Sequence, residues 1–172
     1  MKKLCFLVVW SFTFHSENPY AFQVKTIHGE TIKLERFAGK KILIVNTASE
    51  SKYSSQYDSL EVLANRFNEK LVVIAFPSNS FNHEPGDSLV VSEKLPANQR
   101  HFILSDKVQV IGSNQDPLFK WLSVKELNGM MDCNVLLDFQ KYLIDEHGQF
   151  IGVFAPSVNP LSNEMINAIN LQ

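Results

Sequence analysis

The sequence predicts an α/β domain, a central mixed β-sheet flanked by helices and preceded by an N-terminal β-hairpin. Three observations carry this reading. The run Ile42-Leu43-Ile44-Val45 has the continuous apolar character of a strand buried on both faces. A helical apolar spacing follows at Tyr57, Leu60, Leu63, Ala64 and Phe67. A second apolar run, residues 71–76, then stops at Pro77, and strand, helix, strand in that order is the pattern of a parallel crossover unit.

The remaining elements follow in chain order. Residues 22–27 and 31–34 alternate around His28-Gly29, which predicts the hairpin. Ser54 or Ser55 is the expected cap of the first helix. Residues 79–86 form a polar loop broken at Pro85-Gly86, and a short helix is expected over residues 88–95, before Pro96. Pro117 starts another helix, residues 142–145 and 150–154 flank the turn signal Glu146-His147-Gly148, and residues 164–171 close the chain as a helix. The layout is that of a thioredoxin-like domain.

Composition agrees with a compact fold. The chain has 172 residues, 45% hydrophobic and 20% charged, enough to bury a core without a metal or disulfide framework. Its 18 acidic residues outnumber 16 basic ones, and no long basic run exists, which argues against a nucleic-acid partner. Lys2 and Lys3 precede an apolar run over residues 4–14, the pattern of an export signal. Residues 1–21 are therefore expected to be the signal, with cleavage after Ser16 or Ala21, and residues 22–172 the domain. The apolar run is too short for a comfortable bilayer span, so the expected location is periplasmic or secreted, with no membrane span after cleavage. Removal of the signal leaves Cys133 as the one thiol, which cannot form an intramolecular disulfide.

Several segments, taken in order, resemble the glutathione peroxidase family: Ile44-Val45-Asn46-Thr47-Ala48-Ser49, Gln56-Tyr57, Phe76-Pro77-Ser78-Asn79-Ser80-Phe81, Glu84-Pro85-Gly86, Pro117-Leu118-Phe119-Lys120-Trp121-Leu122 and Phe139-Gln140-Lys141-Tyr142-Leu143-Ile144-Asp145. The resemblance runs from about Phe22 to the C-terminus. It implies a thioredoxin-like fold that reduces peroxides with glutathione or thioredoxin. The short link between Trp121 and Phe139 resembles that of the compact, monomeric members, so a monomer is expected.

Peroxide reduction needs a low-pKa thiolate or selenolate that is oxidised and then reduced by thiols. The resemblance places that residue at Ser51, whose hydroxyl is protonated at neutral pH and has no counterpart of the sulfenic-acid cycle. The supporting glutamine aligns with Ser80, and the family's tryptophan and asparagine align with Leu137 and Asp138. All four tetrad positions differ. Leu137 and Asp138 remove neutral hydrogen-bond donors and add a negative charge, which would raise a neighbouring thiol's pKa. The frequent resolving-cysteine position is Ser78, and the loop Asn82-His83 before Glu84 is one residue shorter than usual. The expectation is a noncatalytic binding or regulatory protein with an unidentified protein or small-molecule ligand.

The residues offer two alternatives. Cys133, four positions before Leu137, would supply a relocated thiol for residual peroxidase activity, with glutathione or thioredoxin as reductant. Ser51, His83 and Asp138 would converge as nucleophile, base and orienter of a hydrolase, although no nucleophile-elbow sequence supports this. Lys52, where the family usually has glycine, is read as a solvated lysine, with a cation over the old reaction position as the sharper reading. Trp121 is assigned to the core. The remaining histidines lack paired metal-ligand spacing, so neither a metal nor a cofactor is expected.

Overall fold

A computed structural model describes residues 18–87 and 101–171 of the chain. The expected export run and the expected helix over residues 88–95 lie outside these residues, apart from the 18–21 end of the former, where Pro19–Ala21 forms one 3-10 turn.

The chain enters through an antiparallel hairpin of β1 (Gln23–Lys25) and β2 (Thr31–Lys33). After a 3-10 turn at Leu34–Phe37 comes β3 (Lys41–Thr47), then α1 (Gln56–Arg66), β4 (Leu71–Pro77), the short β5 (Ile103–Leu104), α2 (Pro117–Ser123), α3 (Lys125–Asn128), β6 (Lys141–Ile144), β7 (Phe150–Phe154) and α4 (Asn163–Asn170). The sheet order is β5-β4-β3-β6-β7. β3 pairs in parallel with β4, and β4 with β5, whereas β3–β6 and β6–β7 are antiparallel. This is the mixed thioredoxin-like sheet expected from the sequence, with the Ile-Leu-Ile-Val strand at its centre.

β3 is apolar on both sides because it has a core on each. Leu43 and Val45 point to one face, where Tyr57, Leu60 and Leu63 of α1 and Met165 and Ile169 of α4 cover them. Ile42 and Ile44 point to the other, where Phe119, Trp121 and Leu122 of α2 pack with Phe76 and Tyr142. Trp121 is in this core as assigned, meeting Phe22 edge-on at 6.2 Å between ring centres.

One local expectation needs correction. Neither Ser54 nor Ser55 caps α1 with its side chain. Residue 55 already has helical backbone angles, and the first amides of α1 donate instead to the carbonyls of Tyr53 and Ser54. A preceding turn over residues 51–55 has thus done the work of a cap. The short β5 and α3 carry too little periodicity to be read from the sequence. Where the β6–β7 turn was expected, Gly148 has φ +83°, and a Cβ there would lie 3.0 Å from the Tyr20 ring.

Candidate functional site

Three segments meet at the C-terminal ends of β3 and β4, the edge where parallel strands commonly present ligand sites. They are the turn after β3 (residues 48–55), the loop after β4 (residues 78–87) and the segment entering β6 (residues 137–139). Backbone and side-chain hydrogen bonds lock them together. The Asn46 side-chain amide donates to the Leu137 carbonyl at 3.0 Å, and the Phe139 amide donates to the Asn46 carbonyl at 2.6 Å. The Glu50 amide donates to the His83 carbonyl at 3.0 Å. Glu84, fully buried, receives the Ser49 amide at 2.5 Å and the Ser49 hydroxyl at 2.6 Å, one on each carboxylate oxygen. Lys107 donates to the carbonyls of Glu84 and Gly86 and so holds the far side of the same loop.

Within this frame Ser51 is only 5% exposed, and its hydroxyl accepts the Tyr53 amide at 3.3 Å. Ser80 faces away from it in its bonding: its hydroxyl accepts from Ser78 at 2.9 Å and from the Val110 amide at 3.1 Å, and donates to the Gln109 side chain at 3.2 Å. Leu137 is half-buried and Asp138 fully buried. The Asp138 carboxylate bonds His83 Nδ1 through Oδ2 at 2.5 Å, while its Oδ1 has no hydrogen-bond partner. Below them Tyr57 is buried, and burial pushes its phenol well above the ordinary value, with the charges of Glu84 and Asp138 adding to the rise.

The segments carrying Ser51, His83 and Asp138 therefore adjoin, and His83 and Asp138 bond directly. Among the described residues no hydrogen bond joins Ser51 to His83. Lys52 is exposed and its ammonium lies 5.0 Å from the Tyr53 ring centre, a local cation–π contact. Cys133 packs with the α2-side core, on the face of the sheet opposite Tyr57. It is half-buried, and burial raises its thiol pKa, opposed by a 3.4 Å hydrogen bond from the Gln140 side chain. A raised pKa is the reverse of what a peroxidatic thiol needs. Among the described residues no group of three or more His, Cys, Asp or Glu side chains is arranged to hold a metal.

Sequence reasoning missed two features. The Ser49–Glu84 clasp was visible only as the motif Glu84-Pro85-Gly86, which says nothing about its partner. The burial of Lys141 had a signal: a lysine opening the run Lys-Tyr-Leu-Ile in a strand covered on both faces has no solvent side to occupy.

A family model described as glutathione peroxidase matches residues 19–123. The glutathione peroxidase homolog BsaA of Bacillus subtilis is 35% identical over 145 residues, covering 82% of this chain and 90% of that protein. The crystal structure of Trgpx in apo form superposes with a TM-score of 0.67 at 27% identity, covering 91% of this chain and 98% of that one. A thioredoxin family thiol:disulfide interchange protein from Chlorobium tepidum shares the fold, with a TM-score of 0.60 at 14% identity over 90% of this chain and 97% of that one. The chain belongs to the glutathione peroxidase family.

Proposed function

We propose that this family member does not reduce peroxides and serves instead as a binding or regulatory protein, exported to the cell envelope and acting on a protein or small-molecule ligand. The observation that carries the reading is the pair of residues at the reaction position. Ser51 offers a hydroxyl where a redox-active chalcogen is required. Asp138, where the resemblance places an amide, puts a buried carboxylate on the segment that His83 ties, through the Glu50 amide, to the turn carrying Ser51. A carboxylate opposes formation of a neighbouring thiolate or oxyanion, so the local field is unsuited to the reaction as well. Export rests on Lys2, Lys3 and the apolar run after them.

The thiol alternative through Cys133 has no support in its raised pKa. Sulfenic-acid trapping after a peroxide pulse separates the readings: the proposal expects labelling of the mature protein no faster than that of an ordinary free thiol, and rapid labelling lost in Cys133→Ala would overturn it.

One observation favours a second reading, ester hydrolysis. A buried carboxylate holding Nδ1 of a histidine is the orienter–base half of a hydrolytic triad. The other half is not assembled, because among the described residues no hydrogen bond joins the Ser51 hydroxyl to His83. Turnover of a p-nitrophenyl ester lost in Ser51→Ala would establish this reading, and absence of turnover would remove it.

A further inference from the structure

We propose that the outer edge of β7 is a self-association surface, on which a second copy of this chain docks by pairing its own β7 antiparallel about a two-fold axis at Val153. This does not depend on what the candidate site binds. β7 ends the sheet order β5-β4-β3-β6-β7 and pairs on one side only, with β6. Among the described residues no backbone hydrogen bond outside that pairing involves Phe150–Phe154. Such a strand turns a row of amides and carbonyls outward, which a further strand can complete. The opposite edge is closed. β5 is two residues long, the Ile27 amide donates to the Leu104 carbonyl at 3.1 Å, Thr26 bridges Ser105, and the Asp106 amide donates to the Lys25 carbonyl at 2.7 Å, so the entering hairpin covers that side.

The strand Phe-Ile-Gly-Val-Phe carries neither the charge nor the proline that blunts an exposed edge. Its one irregularity is an extra residue at Ile151, between the pairs Leu143–Gly152 and Ile144–Phe150. Gly152, Val153 and Phe154 stay in regular register with Leu143, Tyr142 and Lys141, and Val153 stands at the middle of that stretch. Ile151 and Val153 are each half-buried, Ile151 against the α1-side core and Val153 against the α2-side core. A strand added here therefore covers apolar surface on both faces of the sheet.

Charge selects a second copy as the occupant. Pairing about Val153 sets Gly152 opposite the partner's Phe154 and directs the turn Asp145-Glu146-His147 of each chain toward residues 155–161 of the other. Those residues carry no ionisable side chain. Like charges therefore do not meet, although both copies carry the same ones, and a strand that is its own complement forms an isologous contact. Two five-stranded sheets then join into one. A dimer departs from the monomer expected from the link between Trp121 and Phe139, a segment that does not pair with β7.

Sedimentation velocity of the purified mature protein, from about 1 to about 500 μM, tests this, and a monomer–dimer equilibrium is expected within that range. Val153→Lys places two ammonium groups across the axis and is expected to raise the dissociation constant about tenfold or more. Val153→Thr, uncharged and suited to a strand, is expected to keep the dimer. Should the Lys variant not fold, hydrogen exchange of the unsubstituted protein reads the edge directly. Protection of amides in residues 150–154 is expected to rise with protein concentration, with no such rise at residues 103–104. A monomer throughout the range would mean that β7 does not take its own copy. That result, a dimer that Val153→Lys leaves intact, or concentration-dependent protection confined to other segments would each overturn the proposal.

Discussion

His83 and Asp138, 55 residues apart in sequence, meet with Nδ1 2.5 Å from Oδ2, and only the carboxylate is fully buried. The contact fastens the loop after β4 to the segment entering β6, and it occupies the position at which the family resemblance places a neutral amide. A buried carboxylate with one oxygen on an imidazole and the other unbonded has little else to lean on.

Removing the imidazole should therefore be costly. His83→Ala leaves the Asp138 carboxylate buried without its partner, and urea denaturation at neutral pH is expected to show a loss of about 1–3 kcal/mol. Combining it with Asp138→Asn should recover much of that loss, a coupling of about 1 kcal/mol in the double-mutant cycle. Additive losses would mean that the contact contributes nothing.

A single chemical repair should not restore peroxidase chemistry. Ser51→Cys supplies a thiol, yet burial disfavours its thiolate, and the proposal expects the Asp138 charge to do the same. Its absorbance titration is expected to give a pKa above that of an ordinary cysteine. Adding Asp138→Asn should bring it down, and a low pKa in the single variant would contradict this account of the local field.

Cys133 should behave as a packing residue. Its raised pKa and half-burial predict alkylation by iodoacetamide at pH 7 roughly tenfold slower than free cysteine, measured by mass spectrometry. Cys133→Ala is expected to leave fold and ligand binding intact.

Lys141 also predicts a pH dependence of global stability. Its folded pKa, about 7, lies below the unfolded value of 10.5, so the unfolded state binds more protons between those limits. Stability should therefore rise with pH from about 7 toward 10.5, by of order a few kcal/mol, a rise that Lys141→Met abolishes. Denaturant midpoints across this range provide the check.

What could be read from the sequence divides along physical lines. The β3–α1–β4 crossover was legible because burial on two faces of a strand and one face of a helix writes itself into periodicity. The placing of Ser51, Ser80, Leu137 and Asp138 at the tetrad positions is an expectation drawn from the family resemblance, through the flanking residues Asn46, Gln56, Phe76 and Phe139. The details of the site were not legible. Which carboxylate receives Ser49, and that the Ser80 hydroxyl turns to Gln109 and Val110, depend on loop geometry that no local pattern encodes. The Ser55 cap failed for a related reason: the preceding turn satisfies the α1 amides through backbone carbonyls, which no side-chain preference reveals.

The most direct measurement is steady-state consumption of hydrogen peroxide and of a lipid hydroperoxide by the purified mature protein, with glutathione and with a thioredoxin system as reductant. The account predicts no turnover above the reductant-only control. Turnover above that control, under either reductant, would contradict it.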